Sequence, residues 1–159
     1  MNKKVILSIL VENYSGTLSK VAGLFTRRGY NIDSLNVAET QDPNLSRITV
    51  AVTGDSYIIE QITKQLHKLV NVIKITALTE ETSVQRELMM IKVNAVGAKR
   101  TEIIQIVGIF KATIADVNNK NLTVVITGTE EKNNAILELL KPYGIVEMTR
   151  TGPTALERG

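Results

Sequence analysis

Residues 5–32 read VILSILVENYSGTLSKVAGLFTRRGYNI, and the way this stretch divides decides the fold. Val5 to Val11 is an apolar, β-branched-rich run suited to a buried strand, while Leu18, Val21, Ala22, Leu24 and Phe25 recur at helical spacing. Between them lies a turn, Glu12-Asn13-Tyr14-Ser15-Gly16-Thr17. Ser15 can cap the helix and Gly16 carries no Cβ, so backbone N–H groups can approach a small anion at the positive helix end. Any strand-to-helix connection also wants Asn, Ser and Gly, so the turn alone leaves a ligand-holding role and a purely structural one both open. What favours a ligand is a second stretch at the far end of the same helix, Arg28-Gly29-Tyr30-Asn31-Ile32-Asp33.

Working outward, the first half predicts strands near 3–11, 31–40, 46–53 and 70–77 and helices near 16–28 and 55–68, in the order β-α-β-β-α-β. Gln41-Asp42-Pro43-Asn44 is the hairpin between the middle strands, with Pro preset for the bend. Gly54-Asp55 ends a strand and caps a helix whose Ile58, Ile59, Ile62, Leu66 and Leu69 form one apolar stripe. Residues 78–85, LTEETSVQ, are polar and aperiodic and read as a linker. The pattern then restarts, with strands near 86–95, 112–118, 121–128 and 143–150 and helices near 99–111 and 130–141. Val21-Ala22-Gly23-Leu24-Phe25 is echoed by Ile106-Val107-Gly108-Ile109-Phe110, and Thr53-Gly54 by Thr127-Gly128. Gly108 inside a helix predicts close packing against the sheet. The fold class is therefore α+β, two tandem ferredoxin-like βαββαβ domains at 1–77 and 86–159, the second with a short tail.

Composition excludes several functions for such a fold. The 159 residues contain no cysteine and one histidine, so neither a thiol metal carrier nor a His cluster can be built. The net charge of +3 is mild: residues 1–77 hold nine Lys/Arg against six Asp/Glu, and residues 78–159 ten of each. No run of five like charges appears, and the central strands Val5–Val11 and Ile48–Val52 carry no aromatic to stack a base, which argues against nucleic acid. No run approaches membrane-spanning length and no signal-peptide cleavage site follows Met1, so the expected compartment is the cytoplasm. No positioned nucleophile and base, carboxylate cluster or metal set is found, so no catalytic residue is expected. Arg47, just after the hairpin, is either a positioning or partner-contact residue or simply solvated. Met89 and Met90 should face opposite sides of a strand.

Taken together, Glu12-Asn13-x-Ser15-Gly16-x-Leu18, Gly23-Leu24-Phe25-x-x-Arg28-Gly29-Tyr30-Asn31-Ile32 and Leu45-Ser46-Arg47 resemble the ACT domain of the small regulatory subunits of acetohydroxyacid synthase (acetolactate synthase). Gln65-Leu66-x-Lys68-Leu69, Arg86-Glu87-Leu88-x-x-Ile91-Lys92-Val93, Arg150-Thr151-Gly152 and Leu156-x-Arg158-Gly159 extend the resemblance over essentially the whole chain. Thr17 departs from it, standing where a smaller residue, often Ala, is expected beside the ligand. The resemblance implies a non-catalytic subunit that stimulates a separate large catalytic chain and confers feedback inhibition by valine, or by leucine or isoleucine. The chain itself would carry no cofactor; thiamine diphosphate, magnesium and FAD would sit in the catalytic partner. The rival readings are a free-standing ACT-type amino-acid sensor with another target and a small enzyme of ferredoxin-like fold.

The expected effector site comprises Asn13, Ser15, Gly16, Thr17, Leu18, Asn31 and Ile32. Amides of about Gly16 to Leu18 would meet the effector's carboxylate, the Asn13 or Asn31 oxygen its ammonium, and Leu18 with Ile32 its alkyl group. In a right-handed β-α-β crossover the turn and Asn31 lie at opposite ends of one chain, so they can meet only across two chains. Pairing edge to edge through the second strand brings them together, which predicts an isologous homodimer with shared sites.

Overall fold

Alternation along Lys3–Glu12 sends Leu7, Ile9 and Val11 to one side, and this strand, β1, organises the first half of the molecule. The structure, a computed structural model, describes residues 3–159. After β1 come α1 (Thr17–Arg28), β2 (Ile32–Glu39), β3 (Leu45–Gly54), α2 (Ser56–His67) and β4 (Val72–Leu78). The sheet is antiparallel in the order β2-β3-β1-β4. Val21, Leu24 and Phe25 of α1 and Ile62 and Leu66 of α2 bury against Leu7, Ile9, Ile48, Val50 and Val52, so both helices cover one face. Phe25 meets Tyr30 edge-on, with ring centroids 6.4 Å apart and planes at 77°. Asp55 caps α2 as its sequence promised, its Oδ1 accepting from the Ile58 N–H at 2.9 Å.

The second half repeats the order. It contains β5 (Ser83–Asn94), α3 (Ala98–Ile109), β6 (Thr113–Val117), β7 (Asn121–Gly128), α4 (Glu130–Leu140), a 3-10 turn (Lys141–Tyr143) and β8 (Ile145–Arg150), followed by β9 (Thr154–Glu157). Its antiparallel order, β6-β7-β5-β8, matches that of the first sheet. Met89, Ile91 and Val93 face a core built with Ile103, Val107, Ile136 and Leu140, whereas Met90 is exposed on the other face. Two ferredoxin-like units thus stand in tandem, as the repeat predicted.

Three of these expectations need correction, and one strand was not foreseen. The polar stretch 78–85 is no linker: Leu78 closes β4 and is buried, Thr79–Thr82 make a tight turn held by Thr79 and Thr82 hydroxyls, and β5 has begun by Ser83. Its polar side chains satisfy a turn rather than solvate a tether. The tail also departs from expectation. The chain divides into Met1–Gln85 with Gly152–Gly159, and Arg86–Thr151, so the last residues belong with the first unit. There Asn36 of β2 donates to the Gly152 and Pro153 carbonyls at 3.3 and 3.1 Å, and Ala155 buries with Ile6, Ala51 and Leu78. The strand β9, unforeseen because four residues after Pro153 are too few to show a period, pairs with β5. Finally, Gly108 is exposed and nothing lies within 4 Å of where its Cβ would be, so close packing is not its reason.

Candidate functional site

The turn after β1 is shaped by backbone before side chains. The Glu12 N–H donates to Asn71 O (2.9 Å) and the Asn13 N–H to Asn44 O (2.7 Å), tying the end of β1 to the chain on both sides. Gly16 then takes a left-handed conformation, φ 87° and ψ −5°, that residues with a Cβ rarely adopt. It is itself the helix N-cap. Ser15 is therefore not the expected cap: it lies one residue outside, exposed, and no side chain caps α1.

Without a capping side chain, first-turn donors stay open. The Thr17 N–H is taken by Tyr14 O at 3.2 Å, but those of Gly16, Leu18 and Ser19 have no acceptor among the described residues. Thr17 is buried, its hydroxyl donating to Glu12 O (3.2 Å) and accepting from Asn71 Nδ2 (3.4 Å), so it braces the turn instead of pointing into a ligand space. Asn13 donates through Nδ2 to Pro43 O (3.0 Å) and Glu39 Oε1 (3.3 Å), which leaves its Oδ1 as the acceptor. Leu18 is 38% exposed and flanks the open amides with apolar surface. Open backbone donors, a free amide oxygen and an exposed hydrocarbon side chain therefore lie within one short stretch, Asn13 to Ser19.

Asn31 and Ile32 are elsewhere. The helix between is 12 residues, about 18 Å of rise. The register agrees: Glu12 pairs with Leu45 and Glu39 with Ser46 at one end of the sheet, while Ile32 pairs with Val52 and Lys3 with Gly54 at the other. Asn31 is exposed just before β2, and Ile32 is half buried against the core. One chain therefore brings together Asn13, Ser15, Gly16, Thr17 and Leu18 and keeps Asn31 and Ile32 apart from them. As required for pairing between chains, β2 is an edge strand.

Two residues escaped the sequence reading. Asn71 braces Thr17 from the start of β4, and Glu39 places a carboxylate beside Asn13. Only the hairpin register, which sets the end of β2 against the end of β1, could have revealed Glu39.

Residues 7–74 match the family described as AHAS small subunit-like ACT domain, and residues 86–159 the family described as small subunit of acetolactate synthase. The chain belongs to the acetolactate synthase small-subunit family. It is 51% identical over 155 residues to a protein of Methanothermobacter thermautotrophicus named probable acetolactate synthase small subunit, covering 97% of this chain and 92% of that one. It is 46% identical over 155 residues to the acetolactate synthase small subunit of Haemophilus influenzae, covering 97% and 95%. The crystal structure of the acetolactate synthase small subunit from Thermotoga maritima superposes with a TM-score of 0.91 at 42% identity, over 99% of this chain and 98% of that one. As a member of this small-subunit family the chain carries its ACT domain in the first unit, where the open turn lies. No helix among the described residues is long and apolar enough to cross a membrane.

Proposed function

We propose that this chain is the regulatory subunit of a cytoplasmic acetolactate synthase, stimulating a large catalytic subunit and making it sensitive to a branched-chain amino acid, valine foremost. The observation that carries the proposal is the turn and first helical residues at 12–19, with three open amides, the Asn13 oxygen and Leu18, in a chain matched along its length to acetolactate synthase small subunits. The effector's carboxylate meets the amides of Gly16, Leu18 and Ser19. Its ammonium meets Asn13 Oδ1 and the Asn31 side chain of a second copy joined through β2, and its alkyl group lies against Leu18 and the second copy's Ile32. Charge-assisted hydrogen bonds contribute about 1.5–3 kcal/mol each and the buried alkyl group a similar amount. Less the cost of immobilisation, this corresponds to micromolar to millimolar affinity.

In this reading thiamine diphosphate, magnesium and FAD belong to the catalytic partner, and the present chain takes no chemical step. The effector acts by binding one state of the assembly more tightly than another. Reconstitution with an acetolactate synthase catalytic subunit tests this. Acetolactate formation should rise on adding the chain and fall again on titrating valine, leucine or isoleucine. Rates unmoved by the chain would refute the regulatory assignment, and stimulation insensitive to all three amino acids would refute the effector class.

A further inference from the structure

The face of the first sheet turned away from α1 and α2 is ordered in rows. Leu10 pairs with Arg47 on β3 and with Lys74 on β4; Ser8 pairs with Thr49 and Thr76; Ile6 pairs with Ala51 and Leu78. The third row is sealed by Ala155 of the tail strand, and where the strand continues a cavity of about 400 Å³ opens over the first two rows. Leu78, Leu156, Glu157 and Arg158 complete its lining. That volume is within the range of small-molecule sites.

The charges are out of balance. Three cationic side chains, Arg47, Lys74 and Arg158, line this space against one carboxylate, Glu157. None of the four forms an ion pair among the described residues, although Lys64, Lys92, Lys141 and Arg150 all find carboxylates. Arg47 is half buried and anchored, its Nη1 donating to Ser8 Oγ at 2.6 Å, and its remaining N–H groups have no partner among the described residues. Residues directly opposite on neighbouring strands stand about 5 Å apart, which puts Arg47 and Lys74 about 10 Å apart across Leu10. One multivalent group between them can reach both long side chains, with the Ser8 and Thr76 hydroxyls beneath it.

We infer that this cavity is a second ligand site, distinct from the open turn, for a small organic polyanion bearing phosphate or several carboxylates. Arg47 and Lys74 clamp the anionic group, Arg158 closes over it from the tail, and Leu10, Leu78 and Leu156 take a short carbon skeleton. The tail is part of the site. Glu157 opposes the ligand and sets its affinity below what three cations alone would give.

Titration calorimetry of the full chain at constant ionic strength tests the site with two probes, pyrophosphate for the phosphate arm and citrate for the carboxylate arm. At least one should bind saturably, one per chain, and the tighter probe assigns the chemistry. Lys74→Gln and Arg158→Gln, both at exposed positions, should each weaken it about 10-fold or more. Glu157→Gln should tighten it severalfold, a gain that damage to the fold cannot produce. Failure of both probes to saturate by about 10 mM would overturn the inference. So would parental affinity in the Lys74→Gln, Arg158→Gln double variant. If neither probe binds but that double variant no longer assembles with the catalytic subunit, the face is a protein-docking surface and the ligand site is refuted.

Discussion

The two units open their first helices differently on one scaffold. In the first, Glu12 and Asn13 bond to Asn71 and Asn44; in the second, Asn94 and Ala95 bond to Gly144 and Lys120 in the same way. Each helix begins at a glycine of positive φ without a side-chain cap, Gly16 at φ 87° and Gly97 at φ 64°. From that common frame they diverge. The second turn is one residue shorter, has Ala95 where the first has Asn13, and has Lys99 where the first has Leu18. Arg100 donates to the carbonyls of Ala95 and Asn118, closing the turn over with its own guanidinium. At the other side Glu102 of α3 accepts from the Tyr143 hydroxyl at 2.9 Å. The first unit thus leaves its turn open, and among the described residues the side-chain hydrogen bonds that hold α1 to its surroundings run through Thr17, while the second unit adds Arg100 and Glu102 to hold its helix. A repeated fold has been divided into a presenting half and a closed half.

The largest effect expected from this comparison is on stability, in the closed half. Glu87 is buried and accepts from Arg150 through both carboxylate oxygens, the Nε bond being 3.0 Å, and this bond holds the Arg150 guanidinium above its ordinary pKa. Arg150→Ala leaves a buried carboxylate unpaired and should cost about 3–5 kcal/mol in denaturant unfolding. A loss below about 1 kcal/mol would show that the second unit does not depend on this pair.

Effector binding should then separate the two turns. Gly16→Asp sets a like charge and a strained Cβ at the open amides and should weaken valine binding by about 100-fold or more in calorimetry. Gly97→Asp carries comparable backbone strain and should lower the melting temperature while leaving valine affinity unchanged. Equal losses of affinity in both variants would erase the distinction between the halves.

Asn31→Ala sharpens the presenting half, with an expected loss of about 10-fold or more for valine. Mixed with Gly16→Asp chains, it should form heterodimers in which one site is doubly damaged and one intact, so that calorimetry recovers binding absent from either parent. No recovery after verified subunit exchange would mean that the site is not shared.

The smallest effect is a titration. The hydrogen bond to Glu102, followed by desolvation and the charge of Glu102, holds the Tyr143 phenol above its usual value of 10.0. A phenol whose folded pKa is raised adds stability that is complete below the unfolded value and lost as pH rises through the folded one. By phenolate absorbance the Tyr143 phenol should therefore titrate later in the parent than in Glu102→Gln, with the turn at 12–18 unaffected.

Most of the fold was legible because its signals are periodic. The strand–helix alternation from Val5 to Phe25 and its echo near Ile106 to Phe110 placed every helix and eight of the strands within a few residues. What escaped was non-local. Thr154–Glu157 is too short to show alternation, and nothing in its composition says that Ala155 will cover Ile6, Ala51 and Leu78 from the far end of the chain. In the site, Gly16 and the free amides followed from the turn chemistry. The bracing of Thr17 by Asn71 and the approach of Glu39 to Asn13 required the register of β2 and β4, which sequence spacing does not fix. The uncapped end of α1 was misread for a local reason: Ser15 is a good cap by type, but Gly16 in the left-handed region starts the helix one residue later.

The discontinuity of the first unit sets an order of events in synthesis. A ribosome releases residues up to Gln85, then the whole of Arg86–Thr151, and only afterwards the segment that closes the first unit. Domains normally mature from the N-terminus onward. Here the earlier one waits for the later one, with Ile6, Ala51 and Leu78 uncovered until Ala155 arrives. For that interval the nascent chain offers an apolar patch suited to a holding chaperone. A message broken before codon 152 would yield a protein whose second unit is whole and whose first sheet remains adhesive, marking it for proteolysis rather than assembly.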